Sequence, residues 1–189
     1  MRRNRAARKA HCFIDTAGGA TRKLEYGAIL IVFIRLLPTS HTLPVAVQPW
    51  HFYLVDTDVI SEARKGDKGN AGVRRFLRDV ERNGDALFLS AVTVGELRQG
   101  VESIRQRGDE VQALVLERWL NGVTSRFGNA ILPFDQEIAE VWGRLRVPNP
   151  ENPLDKQIAA TALMNDLTVV TRNTSHFVPT GVQVLNPFS

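Results

Sequence analysis

The 189-residue chain has one cysteine, Cys12, two methionines and aromatic residues at only 7% of positions. A single cysteine excludes a disulfide framework and any zinc site built on several thiolates, and it fits a reducing cytoplasm. Long hydrophobic runs are also missing. Ala28 to Leu37 is apolar except for Arg35, which is too short for a membrane span, so no membrane association is expected. There is no glycine loop of the phosphate-cradling kind, no Ser-His-Asp set and no internal repeat. A basic footprint is absent from most of the chain too. The formal charge is +4, but residues 1–50 carry 8 Lys/Arg against 2 Asp/Glu, and residues 51–189 carry 16 against 18. The bulk of the chain is therefore net −2, and charge alone gives it no claim on nucleic acid.

The basic excess sits in an Arg-rich start (Arg2, Arg3, Arg5, Arg8, Lys9) followed by a stretch broken by Pro38, Pro44 and Pro49. Residues 1–50 are expected to be a disordered extension from a start codon placed too far upstream, and 51–189 to be the domain. The organised pattern begins near His51. Apolar strands are predicted at Phe52–Val55, Ala86–Leu89, 130–132, 167–170 and 182–185. Helical spacing falls between them: Val73, Phe76, Leu77 and Val80; Val94 to Ile104; Leu116, Leu120, Val123 and Phe127; Ile138, Val141, Trp142 and Leu145; and Asp155 to Asn165. Strands alternating with helices argue an α/β sandwich around a mostly parallel sheet, whose ligand site lies beyond the carboxyl ends of the strands.

Acids gather where that edge should be. LVDTDVISE (54–62) runs from a strand into Asp56 and Asp58, a cap or site for either residue. Glu96, in Thr93-Val94-Gly95-Glu96, fits a capping box. Asp155 after Pro153-Leu154 reads alone as an N-cap, and Asn173 after the fourth strand reads alone as a turn residue. Together they are more than four local features. Acids or amides follow the first, second and fourth strands, on one sheet edge, where crowded carboxylates raise one another's pKa unless a cation neutralises them. Hard oxygen ligands suit Mg²⁺ or Mn²⁺, which polarise a phosphodiester and activate water.

Six stretches taken in order resemble one known family. LVDTDVISE, LSAVTVGELRQG (89–100), ILPFD (131–135), LDKQIAATA (154–162), TVVTRNTSHF (168–177) and TGVQVLNPF (180–188) are similar to successive landmarks of PIN-domain toxins, the VapC/FitB-like ribonucleases of toxin–antitoxin pairs. The resemblance implies a PIN-like three-layer α/β/α fold and Mg²⁺- or Mn²⁺-dependent hydrolysis of RNA by a metal-activated water, leaving 5′-phosphate and 3′-hydroxyl ends. It places the catalytic and metal-binding carboxylates at Asp56, Glu96 and Asp155, with Thr57, Asp58, Ser90 and Thr171 as supporting polar groups. It also implies a small antitoxin partner bound across the acids, and a homodimer.

The family's fourth acid is missing. Relatives carry it at the position of Asn173 or of His176, and neither is a carboxylate. Asn173 is an additional metal-ligand candidate through its carbonyl oxygen, and His176 a weaker one. One well-held metal ion per chain is expected, with a weak or substrate-dependent second. Two alternatives stand beside the nuclease: a PIN domain that mainly binds a partner, and a haloacid-dehalogenase-type phosphatase opening on DTDV. The phosphatase needs an acid pair after a later strand, where Thr171-Arg172-Asn173 stands instead. Lys156, Arg98 and Arg172 are candidates to steer phosphate. Leu116, Leu120 and Val123 are candidates for an interface as well as for the core.

Overall fold

Neighbouring residues of each central strand turn to opposite faces, and both faces are apolar. Leu54 and Val55 of β1 (Phe52–Val55), and Val169 and Val170 of β4 (Thr168–Val170), are all fully buried. Strands covered on both sides read as continuous apolar runs, the mark of a parallel sheet. In the computed structural model, which describes residues 51–189, β1 and β4 join β2 (Ala86–Ser90), β3 (Ile131–Leu132) and β5 (Val184–Leu185) in a five-stranded sheet, order β3-β2-β1-β4-β5, with every pairing parallel. The expected extension over residues 1–50 lies outside the described residues.

One face carries α1 (Thr57–Ala63), α2 (Ala71–Asn83), α3 (Ala91–Gln106) and α4 (Glu110–Phe127), packed on Val55, Leu89 and Val170. The other carries α5 (Gln136–Leu145), α6 (Pro153–Asn165) and the single turn α7 (Thr174–Phe177), packed on Leu54 and Val169. The result is the expected α/β/α sandwich. Leu116, Leu120 and Val123 belong to its core, at 8%, 1% and 3% exposure, so they offer nothing to a partner. The apolar side chains that α4 does expose are Val111, Leu114 and Val115, one turn nearer its start.

Caps mark the helix ends largely as the sequence implies. Asp135 Oδ1 accepts from Ile138 N at 3.0 Å, and Gly84 closes α2 in the left-handed conformation. The capping box at Thr93–Glu96 does not form. Ser90 Oγ accepts from Val92 N at 3.1 Å and starts α3 three residues earlier, which places Glu96 inside the helix rather than at its cap. Asp155 is likewise not a cap: α6 begins at Pro153, after Asn152. The turn α7 was not anticipated, because four residues are too few for a periodic signal.

Candidate active site

The strand order fixes where a ligand can reach. β2 and β3 lie on one side of β1, β4 and β5 on the other, so the winding direction reverses between β1 and β4. At such a switch point the loops leaving two adjacent carboxyl ends diverge and open a crevice. Asp56 leaves β1 there, and Thr171, Arg172 and Asn173 leave β4.

The two loops are tied together by side chains. Asp56, 3% exposed, is the N-cap residue of α1. Its Oδ1 accepts from Thr57 N at 2.7 Å and its Oδ2 from Thr171 Oγ1 at 2.7 Å. Thr57 Oγ1 donates to Glu96 Oε2 at 2.5 Å, which fixes the α3 carboxylate against the start of α1. Asp58 Oδ2 accepts from Arg172 N at 2.9 Å, a second tie from α1 to the end of β4. Asp155, from the first turn of α6, pairs its Oδ2 with His176 Nδ1 of α7 at 2.6 Å. Ser90 is wholly buried at the head of α3.

Electrostatics bind these residues into one group. Burial, opposed by the Thr171 hydrogen bond and reinforced by the charges of Asp58 and Asp155, pushes Asp56 from its ordinary 3.8 up to about 7. Burial also raises Glu96, with Asp155 and Asp58 adding to the rise. Asp58 is raised by burial against the pull of Arg172. These carboxylates repel one another, and their hydrogen bonds come from hydroxyls, backbone N–H groups and one imidazole. One buried oxygen, Asp58 Oδ1, has no hydrogen-bond partner. An orphaned carboxylate oxygen among mutually destabilised acids is what a cation and its waters would satisfy.

The donor set narrows which cation fits. Among the described residues no three His, Cys, Asp or Glu side chains are grouped closely enough to enclose a metal ion by themselves. A site for Mg²⁺ does not require that, since this ion keeps several waters and is held through one or two carboxylates plus substrate phosphate. Asp56, Glu96 and Asp155 suit it as oxygen donors. His176 gives its Nδ1 to Asp155, which leaves Nε2 for another partner. Asn173 is exposed, and its backbone N–H donates to Thr171 Oγ1 at 3.0 Å. Thr171 thus holds both Asp56 and the loop after β4. Thr171→Val, isosteric but without the donor, is expected to lower divalent-ion affinity about 10- to 100-fold with little loss of fold. Titration of Mn²⁺ followed by its electron-spin signal measures this.

A profile of the PIN domain matches residues 53–178. The chain belongs to the PIN domain family. It is 35% identical to the toxin FitB of Neisseria gonorrhoeae over 140 residues, 71% of this chain and 97% of FitB. It is 29% identical to the VapC ribonuclease Y4jK of Sinorhizobium fredii, again over 71% of this chain and 96% of that protein. The crystal structure of FitAcB from Neisseria gonorrhoeae superposes with a TM-score of 0.62 at 34% identity, over 72% of this chain and 98% of that one. Within the PIN family the chain therefore resembles the FitB and VapC toxins.

Proposed function

We propose that this PIN domain is a divalent-metal-dependent endoribonuclease, the toxin of a toxin–antitoxin pair, acting from the cytoplasm on RNA and restrained by a small antitoxin protein. The observation that carries the reading is the mutual electrostatic influence of Asp56, Glu96 and Asp155, which come from the N-cap of α1, the second turn of α3 and the first turn of α6 beside the reversal point of the sheet. The likeness to proteins named as a toxin and as a ribonuclease supports the reaction class.

In this reading Asp56, Glu96 and Asp155 hold Mg²⁺ or Mn²⁺, and Asn173 offers a carbonyl oxygen at the rim. The bound cation supplies charge to the scissile phosphate and acidity to a water. The chain's own residues do the rest. Thr57 and Thr171 orient two carboxylates by donating to one oxygen of each, and His176 does the same for Asp155. The net charge of −2 over residues 51–189 is no obstacle, because the cation reverses the sign where the phosphate sits. A homodimer is part of the proposal, with the exposed Val111, Leu114 and Val115 available to a partner chain.

A haloacid-dehalogenase-type phosphatase gains no support, since Glu96 would be idle and the β4 loop offers an amide and a guanidinium where an acid pair is required. A catalytically weak PIN domain acting mainly by partner binding is the second reading, favoured by the absent fourth carboxylate at Asn173 and His176. Incubating the purified chain with single-stranded RNA in Mg²⁺ and in EDTA separates the two. Cleavage to 5′-phosphate ends only in Mg²⁺ is expected; intact RNA in both would leave the binding reading.

A further inference from the structure

Of the three cations the sequence sets near the acids, two are taken. Lys156 is 4% exposed and its ammonium donates to the Asn149 carbonyl. Arg98 Nη1 lies 2.6 Å from Glu117 Oε1 and 3.6 Å from Glu102 Oε1, on the outer side of α3 and α4. Arg172 differs from both. Its side chain is 57% exposed, although its backbone N–H is bonded to Asp58. The guanidinium carbon lies 4.3 Å from the ring centroid of Phe188, and Nε is 3.9 Å from Asp58 Oδ2, too far for a hydrogen bond. Stacking engages the face of a guanidinium and leaves its edge donors for an anion.

Phe188 is held in place for this. Asn70 Nδ2 donates to its carbonyl at 3.5 Å, and its own N–H donates to Asn186 Oδ1 at 2.9 Å. The segment 186–189 runs so close to α2 that a Cβ at Gly72 would sit 2.1 Å from the Pro187 carbonyl. Arg75 Nη2 adds a bond to the Ser189 carbonyl at 3.3 Å. The ring itself is partly buried against the core on the α1–α4 face. Such a platform restricts a long cationic side chain before any ligand arrives, which lowers the entropy cost of binding. Its location is equally specific: Arg172 directly follows Thr171, whose hydroxyl holds Asp56.

We propose that Arg172, stacked on Phe188, is an anchoring residue for a backbone phosphate of the RNA adjoining the one that meets the acids. The inference rests on the ribonuclease reading and names a residue that this reading does not use. A carboxylate site repels the substrate's backbone as well as attracting the metal, and a preorganised guanidinium at its lip offsets that repulsion.

The test is the affinity of the full chain for a single-stranded RNA oligonucleotide in Ca²⁺ across a range of salt, by fluorescence anisotropy. Arg172→Gln is expected to weaken binding about tenfold or more. It should also reduce the slope of log K against log salt by about 0.7, the share of one phosphate contact on a single strand. Mn²⁺ affinity should not fall, since the lost charge is a cation beside the acids. Arg172→Lys, keeping the charge but losing the fork, should keep the slope and lose affinity. Phe188→Leu should weaken binding in the same direction by less. Wild-type affinity and slope in Arg172→Gln would overturn the anchor alone, as would a loss of affinity with an unchanged slope and a lowered melting temperature. Failure of the wild-type chain to bind RNA would overturn the ribonuclease reading with it.

Discussion

Asp56→Asn is expected to reduce Mg²⁺-dependent RNA cleavage by more than about 100-fold while making the metal-free protein more stable above pH 7. The two effects have one origin. The Asp56 carboxylate is 3% exposed, faces Asp58 and Asp155, and holds its proton up to about pH 7. In the unfolded chain the same group loses its proton near 3.8. Between these values the folded state binds more protons than the unfolded state, so stability falls as pH rises through that window and the full penalty remains above it. Glu96 and Asp58 shift in the same direction and deepen the fall. A divalent cation reverses the penalty, because it binds the ionised carboxylate and only in the folded state. Asparagine keeps the polar contacts: its carbonyl can accept from Thr57 N, and its amide can donate to the Thr171 hydroxyl. It removes the charge that both the penalty and the metal depend on. Thermal melts in EDTA and in Mg²⁺ between about pH 4 and 8 read both halves. The variant should show a flatter profile in EDTA and little response to Mg²⁺.

Phe177→Ala should have the largest effect on the fold, about 3–5 kcal/mol. Phe177 is fully buried in the cluster formed with Ile158, Ala159, Ala162 and Val182, and it is the only buried residue of the four-residue turn α7. A short turn has no helical stability of its own, so this ring is what docks it. In a domain of this size the melting temperature should fall by roughly 10–20 °C. The neighbouring His176 would lose its position beside Asp155, so divalent affinity should drop along with stability. A melting temperature within about 3 °C of wild type would mean that the ring is not the anchor of this turn.

The sheet was legible because both of its faces are covered. Apolar runs at 52–55 and 86–89, and the mostly apolar 167–170, give parallel strands, and the polar residues that follow them share an edge. The candidate site was sought there for the same reason, and in the fold Asp56 and Glu96 both feel the charge of Asp155. Local reading misled where one residue type serves two roles. Thr93 and Glu96 have capping-box spacing, but Ser90 lies at the strand end and takes the cap. Thr93 is left fully buried with its hydroxyl unpaired. Asp58, expected as a supporting or capping acid, is not the cap: Asp56 caps α1, and Asp58 receives Arg172 N from the far loop. The His176–Asp155 bond and the Phe188–Arg172 stack were beyond reach, since each joins segments whose approach only the folded chain defines.

A divalent-cation site built on these acids is the central proposal. Counting Mn²⁺ bound per chain without RNA, in wild type and in Asp56→Asn, tests it most directly. One tightly held ion in the wild type and none of comparable affinity in the variant is the predicted result. No tight ion in the wild type, two of them, or one that survives Asp56→Asn would contradict it.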